Sequence, residues 1–257
     1  MATASVRTGA SVRTGASAGV GADVRVGADG RVRCGWVGTD AGYERYHDEE
    51  WGYPLHGDRE LFEKLSLEAF QSGLSWITIL RRRDAFRAAF ADFSSDIVAR
   101  FTDDDVEKLM NNSGIIRNRA KILATIANAR VTTRLVEHDA GALDRLIWSF
   151  SPDLARDAAP DAAPDTAPDD KHESPRLRRV SLAELPARTP ESAALSDALR
   201  KLGYRFVGPT TSYALMQSAG LVDDHLSGCW RTEADSSATT RSSSPATAPA
   251  PAPLPLP

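Results

Sequence analysis

Residues 58–76 read DRELFEKLSLEAFQSGLSW, and this stretch decides what kind of fold the chain adopts. Leu61, Leu65 and Ala69 recur at helical spacing, so the segment turns one apolar stripe toward a core. Asp58 is placed to cap the helix start and Gly73 to stop it. Glu68 breaks the pattern. Three residues after Leu65 and seven after Leu61, it shares their stripe rather than the solvent face. A carboxylate there is costly unless it is hydrogen-bonded or faces a cavity. It could equally be an edge residue that snorkels or pairs with an arginine, and spacing alone leaves that open.

Helical patterns continue outward from this segment. Ser75 is placed to cap a helix through WITILRRRDAFRAAFADF, and Thr102 with Asp105 three residues on resembles a capping box for DDDVEKLMNNS. Further periodic segments run through Ala120–Val136, Leu143–Phe150 and, after Thr189-Pro190, ESAALSDALRKLG. Pro209 and Gly220 bracket TTSYALMQSA in the proline-first, glycine-last manner. Strand signals are few. The expected fold class is all-α, with the helices inside residues 33–232.

Composition sets the frame around that core. The 257 residues are 42% hydrophobic and 26% charged. No run of about 18 apolar residues exists, so no membrane span is expected. The first thirty residues lack the apolar centre of a secretory signal, and two cysteines cannot build a disulfide scaffold. A cytoplasmic protein is expected. Residues 1–32, with the tandem SVRTGASVRTGA, read as a disordered arm. An acidic Pro/Ala-rich insert covers about 153–175, and 233–257 form a disordered Ser/Pro-rich tail. The net charge of −4 is uneven: residues 153–173 hold seven acids and two bases, residues 1–33 five bases and two acids. What remains is nearly neutral. A nucleic-acid partner would therefore need a local basic patch, not a global field.

Three sets of residues inside the core carry chemistry. Trp36, Tyr43, Tyr46, Trp51 and Trp76 are flat side chains suited either to stacking a planar ligand or to plain core packing. Cys34 precedes His47 by thirteen residues, and His225 precedes Cys229 by four. Two donors from each end could complete a tetrahedral zinc site that ties the core's start to its finish. Two unrelated buried thiols would read the same, as would a disulfide, which a cytosolic setting disfavours. SGIIRNRAKI, from Ser113, puts a Gly-containing turn and basic residues between two helices, as a phosphate grip or an ordinary helical hairpin would. The run Arg81-Arg82-Arg83 reads as a phosphate contact or as solvated helix surface.

Four segments in fixed order are similar to one known family: RCGWVGTDAGYERYHDEEWGYP (residues 33–54), LFEKLSLEAFQSGLSWITIL (61–80), GIIRNRAKI (114–122) and KLGYRFVGPTTSYALMQSAGLVDDHLSGC (201–229). Together they resemble the DNA-3-methyladenine glycosylase I family of helix-hairpin-helix glycosylases. The resemblance implies a helix-hairpin-helix glycosylase fold with a structural zinc on Cys34, His47, His225 and Cys229. It implies aromatic walls at Trp36, Tyr43, Tyr46 and Trp76, with Glu68 touching a flipped base. It also implies a hairpin gripping the DNA backbone, with Gly114, Arg117 and Lys121 as the contacts. Ala69 and Phe70 depart from the family pattern, which often has Gly and a smaller or polar residue there.

The activity implied is hydrolytic release of 3-methyladenine from alkylated double-stranded DNA by a monomer. No Asp or Lys follows the hairpin before Asp139, so lyase activity is not expected. Two rival readings exist. His47-Asp48-Glu49 superficially matches the H-x-E of zinc deaminases, but the chain has no CxxC to complete it. A catalytically silent lesion-binding module would keep hairpin and zinc; intact Glu68 and the full aromatic set argue against it.

Overall fold

A computed structural model describes residues 23–152 and 179–232 of the chain. The expectations for the first 22 residues, the acidic insert and the tail lie outside the described residues. Residues 23–32, read above as part of a structureless arm, are a correction. Val24–Val26 (β1) and Val32–Cys34 (β2) pair antiparallel, Val24 opposite Cys34 and Val26 opposite Val32. Each strand places one arginine between two apolar residues, and Gly30 takes the left-handed conformation in the turn. Small polar composition hid this hairpin because its stability is tertiary: Arg33 is buried against Asp29 and Asp48.

The remaining elements are helical. Ala41–Glu49 (α1) is capped by the Asp40 side chain, which accepts from the Tyr43 N–H. Asp58–Gln71 (α2) is the central helix. The helices that follow it are Trp76–Leu80 (α3), Arg83–Ala89 (α4), Ser95–Val98 (α5), Asp103–Asn111 (α6), Arg119–Val136 (α7), Ala142–Trp148 (α8), Pro190–Leu202 (α9) and Pro209–Ser218 (α10). α2 packs against α3, α7, α8 and α10, and α7 in turn covers α5, α6 and α8. Buried on nearly all faces from Leu61 to Phe70, α2 is a core helix, not the one-striped helix its spacing predicts. Ala69 and Phe70 belong to that core, with Phe70 4.7 Å from Phe86 between ring centres.

Two local expectations change. Gly57, not Asp58, occupies the N-cap of α2. The Asp58 carboxylate instead accepts the N–H groups of Gly141, Leu143 and Asp144, capping α8, while Asp144 accepts the Gly57 N–H at 2.6 Å. Each helix start is thus capped by the other's aspartate, which fixes their crossing. The single helix expected through residues 76–93 breaks between α3 and α4 and ends in a turn over residues 91–93 with positive φ. Left-handed backbone costs roughly 1–2 kcal/mol per residue. Here it lets Phe86, Phe90 and Phe93 all be buried, which outweighs it. The Thr102–Asp105 capping box and the Thr189–Pro190 helix start form as read. Among the described residues, no helix is long and apolar enough to cross a membrane.

Candidate active site and metal centre

α1, α2, α3 and α10 converge on a cavity of about 290 Å³. Tyr43 and Tyr46, three residues apart on α1, face it together. Trp36 meets Tyr43 edge to face at 5.0 Å, and Tyr46 lies 5.5 Å from Trp76. Trp51 completes the aromatic wall. Glu68 stands among these rings only 3% exposed, so it does not snorkel, and among the described residues no arginine pairs with it. Its Oε1 accepts a hydrogen bond from Ser218 Oγ at 2.9 Å. Burial pushes its carboxyl up to about 7, against the opposing pull of Lys64 and Ser218. Burial, with Glu68 nearby, likewise pushes the Tyr43 phenol up to about 12. Trp76 Nε1 is buried without a hydrogen-bond partner among the described residues.

Such a chamber can stack a planar ring and offer one carboxylate to a positive one. Sequence reasoning found Glu68 and the aromatics but missed Ser218, Gln217 and Gln71, which supply the cavity's polar edge. Ser218 is 150 residues from Glu68, and no local pattern announces such a pairing.

Beside the pocket, Cys34, His47, His225 and Cys229 bring one donor atom each to within 4.8 Å of one another, all buried. The cysteines are free thiols, so the disulfide alternative is not realised. His47 Nδ1 lies 2.8 Å from Asp48 Oδ1, and a carboxylate can only accept, so the proton sits on Nδ1 and the Nε2 lone pair faces Cys229 at 3.5 Å. His225 Nε2 faces the Trp51 carbonyl at 3.3 Å, leaving Nδ1 toward the two sulfurs at 3.8 and 3.7 Å. Asp48 is itself held by Arg33 and Trp230. A proton shared with Cys34 pulls the Cys229 thiol well below its ordinary value. The cluster joins β2, α1 and the last described segment, and could hold a metal ion.

The third set is not brought to the pocket. Residues 112–118 turn between α6 and α7, with Asn118 capping α7. The Gly114 N–H donates to Asn112 Oδ1 at 2.8 Å, and Arg117 is exposed. Lys121 is a correction. Its ammonium is buried and donates to the Phe70 and Ser72 carbonyls at 2.9 and 2.7 Å. These are terminal carbonyls of α2 that no helical N–H can reach, so the lysine is drawn inward and clamps the hairpin to the pocket helix. The arginine run is likewise committed: Arg81 pairs with Asp40, Arg82 reaches the Thr78 carbonyl and Arg83 pairs with Glu50.

Comparison with known proteins accords with this geometry. A family model described as methyladenine glycosylase matches residues 36–232. The chain is 41% identical over 197 residues to DNA-3-methyladenine glycosylase 1 of Escherichia coli (strain K12), covering 77% of this chain and 95% of that one. A crystal structure of 3-methyladenine DNA glycosylase I superposes with a TM-score of 0.65 at 41% identity, over 77% of this chain and 98% of the other. The enzyme of the same name from Staphylococcus aureus, solved to explain 3-methyladenine recognition, gives 0.61 at 30% identity, over 74% and 90%. The chain belongs to the methyladenine glycosylase family.

Proposed function

We propose that this protein is a DNA repair glycosylase that flips 3-methyladenine out of alkylated double-stranded DNA and releases it by hydrolysis. The observation that carries this reading is Glu68, a buried carboxylate at the wall of an aromatic chamber sized for one base. Methylation at N3 makes the base cationic, so it is already a good leaving group. Extrusion and selective binding then matter more than acid catalysis. The Trp36, Tyr43, Tyr46 and Trp76 rings favour an electron-poor cationic ring over neutral adenine, and Glu68 adds a charge that neutral adenine cannot match. Water adds to the sugar C1′ as the bond to the base breaks. The electron pair leaves with the base and neutralises it, and the water gives up a proton. An abasic site remains, and the chain acts without a lyase step.

In this reading residues 103–136 are the helix-hairpin-helix unit. The exposed Arg117 and the turn at Gly114 meet the DNA backbone, and Lys121 holds that turn against α2. The metal is zinc. A tetrahedral ion with sulfur at about 2.3 Å and nitrogen at about 2.0–2.1 Å keeps its donors some 3.3–3.8 Å apart. Three of the donor separations, 3.5, 3.7 and 3.8 Å, fit that spacing, and all four donor atoms lie within 4.8 Å of one another. Four protein donors leave no open position, so zinc here supplies stability and no chemistry. The working form is a cytoplasmic monomer.

The test is release of free 3-methyladenine from methylated duplex DNA by the wild type and Glu68→Gln, side by side. Release by the wild type with a clear loss in the variant supports the reaction and the carboxylate's part in it. No release by folded, metal-loaded wild type overturns the enzyme and leaves a lesion-binding module.

A further inference from the structure

Lys64 pulls on the Glu68 carboxyl from outside the lining of the base pocket. It sits on α2 one turn before Glu68 and is only 8% exposed. Its ammonium lies 5.1 Å from the ring centre of Tyr46 and 5.4 Å from that of Trp76, two walls of the base pocket. On its other side it lines a second cavity with Glu50, Glu63, Arg83 and Ser218. There Glu50 is taken by Arg83 and Glu63 by Arg87. Among the described residues no arginine pairs with Glu68, and the cation that acts on it is Lys64. We propose that Lys64 is the resident counter-ion of the base pocket: set over the rings of Tyr46 and Trp76, it favours the ionised form of Glu68 over the protonated one before a cationic base arrives. A protonated Glu68 would have to lose its proton to bind such a base, so the counter-ion sets the pH range in which the pocket is ready.

The groups facing this pair are Tyr43, Tyr46 and Glu50 from α1 and its end, Glu63 from α2, Arg83 and Arg87 from α4, and Gln217 and Ser218 from α10. Burial pushes the Lys64 ammonium down, and Glu68 and then Glu50 hold it up. Two aromatic faces also favour its charged form. Lys64 acts through Glu68 and does not itself touch the reacting atoms.

The inference rests on the glycosylase reading for its purpose but not for its test. Full-length, metal-loaded protein labelled with carboxyl-13C glutamate gives the Glu68 titration directly, its resonance assigned by its loss in Glu68→Gln. In Lys64→Met the midpoint should climb by about one unit or more, while Lys64→Arg keeps it. The acid limb of 3-methyladenine release should move with it. Should the methionine variant fail to fold, Lys64→Gln reads the same loss of charge. An unmoved midpoint in a folded, metal-loaded variant overturns the proposal, as does a fall in release that is equal at every pH. A moving midpoint in a chain that releases no base would keep the counter-ion and remove the glycosylase reading instead.

Discussion

The Cys34–His47–His225–Cys229 cluster and the Glu68 pocket lie side by side, sharing α1 and Trp51, yet they treat their polar atoms in opposite ways. In the Cys/His cluster both imidazoles have their outward nitrogens placed by a partner, Asp48 for one and the Trp51 carbonyl for the other. Asp48 is in turn held by Arg33 and Trp230. In the pocket, among the described residues, Glu68 is buried with a single hydroxyl donor and Trp76 Nε1 has no partner. A saturated network of buried polar groups fixes its members in place. An unsaturated one is costly and is kept where something else completes it. The first pattern holds the fold and the second awaits a ligand. α1 links them, because His47 follows Tyr46 directly and so sets where the pocket's tyrosines stand.

The contrast breaks most visibly at the Cys/His cluster. Cys229→Ala should lose the bound ion, read by elemental analysis, and cost on the order of several kcal/mol in denaturant unfolding. Activity should fall with it, since α1 loses its anchor. Retention of full stability by the metal-free variant would make the cluster two idle thiols after all.

Glu68→Gln should do the reverse, lowering base release by about 10²-fold or more while sparing the fold. Its effect on stability should depend on pH, and the sign follows from the raised value. Folded Glu68 keeps its proton up to about 7, whereas an unfolded glutamate releases it near 4.5. The penalty is thus absent below about 4.5, grows as pH rises, and levels off above 7 at about 3 kcal/mol, taking about 1.4 kcal/mol per unit. Stability of wild type relative to Glu68→Gln should decline across that window in parallel denaturant titrations. A flat difference would mean that Glu68 is better solvated than its burial suggests. Base release should rise over the same approach to neutrality.

Smaller effects separate the two ends of the hairpin. Lys121→Met leaves two α2 carbonyls unpaired, at about 1–3 kcal/mol in thermal unfolding, with the salt dependence of DNA binding unchanged. Arg117→Ala should leave the melting temperature alone and reduce that salt slope by about one. Should Lys121→Met instead change the salt slope, the lysine would be a phosphate contact as the sequence first suggested.

Legibility followed range of interaction. The Thr102–Asp105 box was visible because both partners lie within one helical turn. The Cys/His set was visible as a pattern, because metal donors are a small class of residue types with recurrent spacings. Lys121 and Asp58 were misread for a shared reason. Each reaches a backbone group far along the chain, Lys121 the end of α2 and Asp58 the start of α8, and only a folded neighbour supplies that partner. The β1–β2 hairpin was missed because its arginine is buried by Asp48 from α1 and its cysteine by His225.

By itself the sequence determined the helical character of the core, the ligand-type residues at its two ends and the oddity of a carboxylate on an apolar stripe. Those properties are local, set by hydrophobic period and residue chemistry. The tertiary structure decided what surrounds that carboxylate: Ser218 from α10, the rings of α1 and α3, and Lys64 set over them. Proton affinity at Glu68 depends on solvent removed and charges brought near, and neither exists until distant segments have packed.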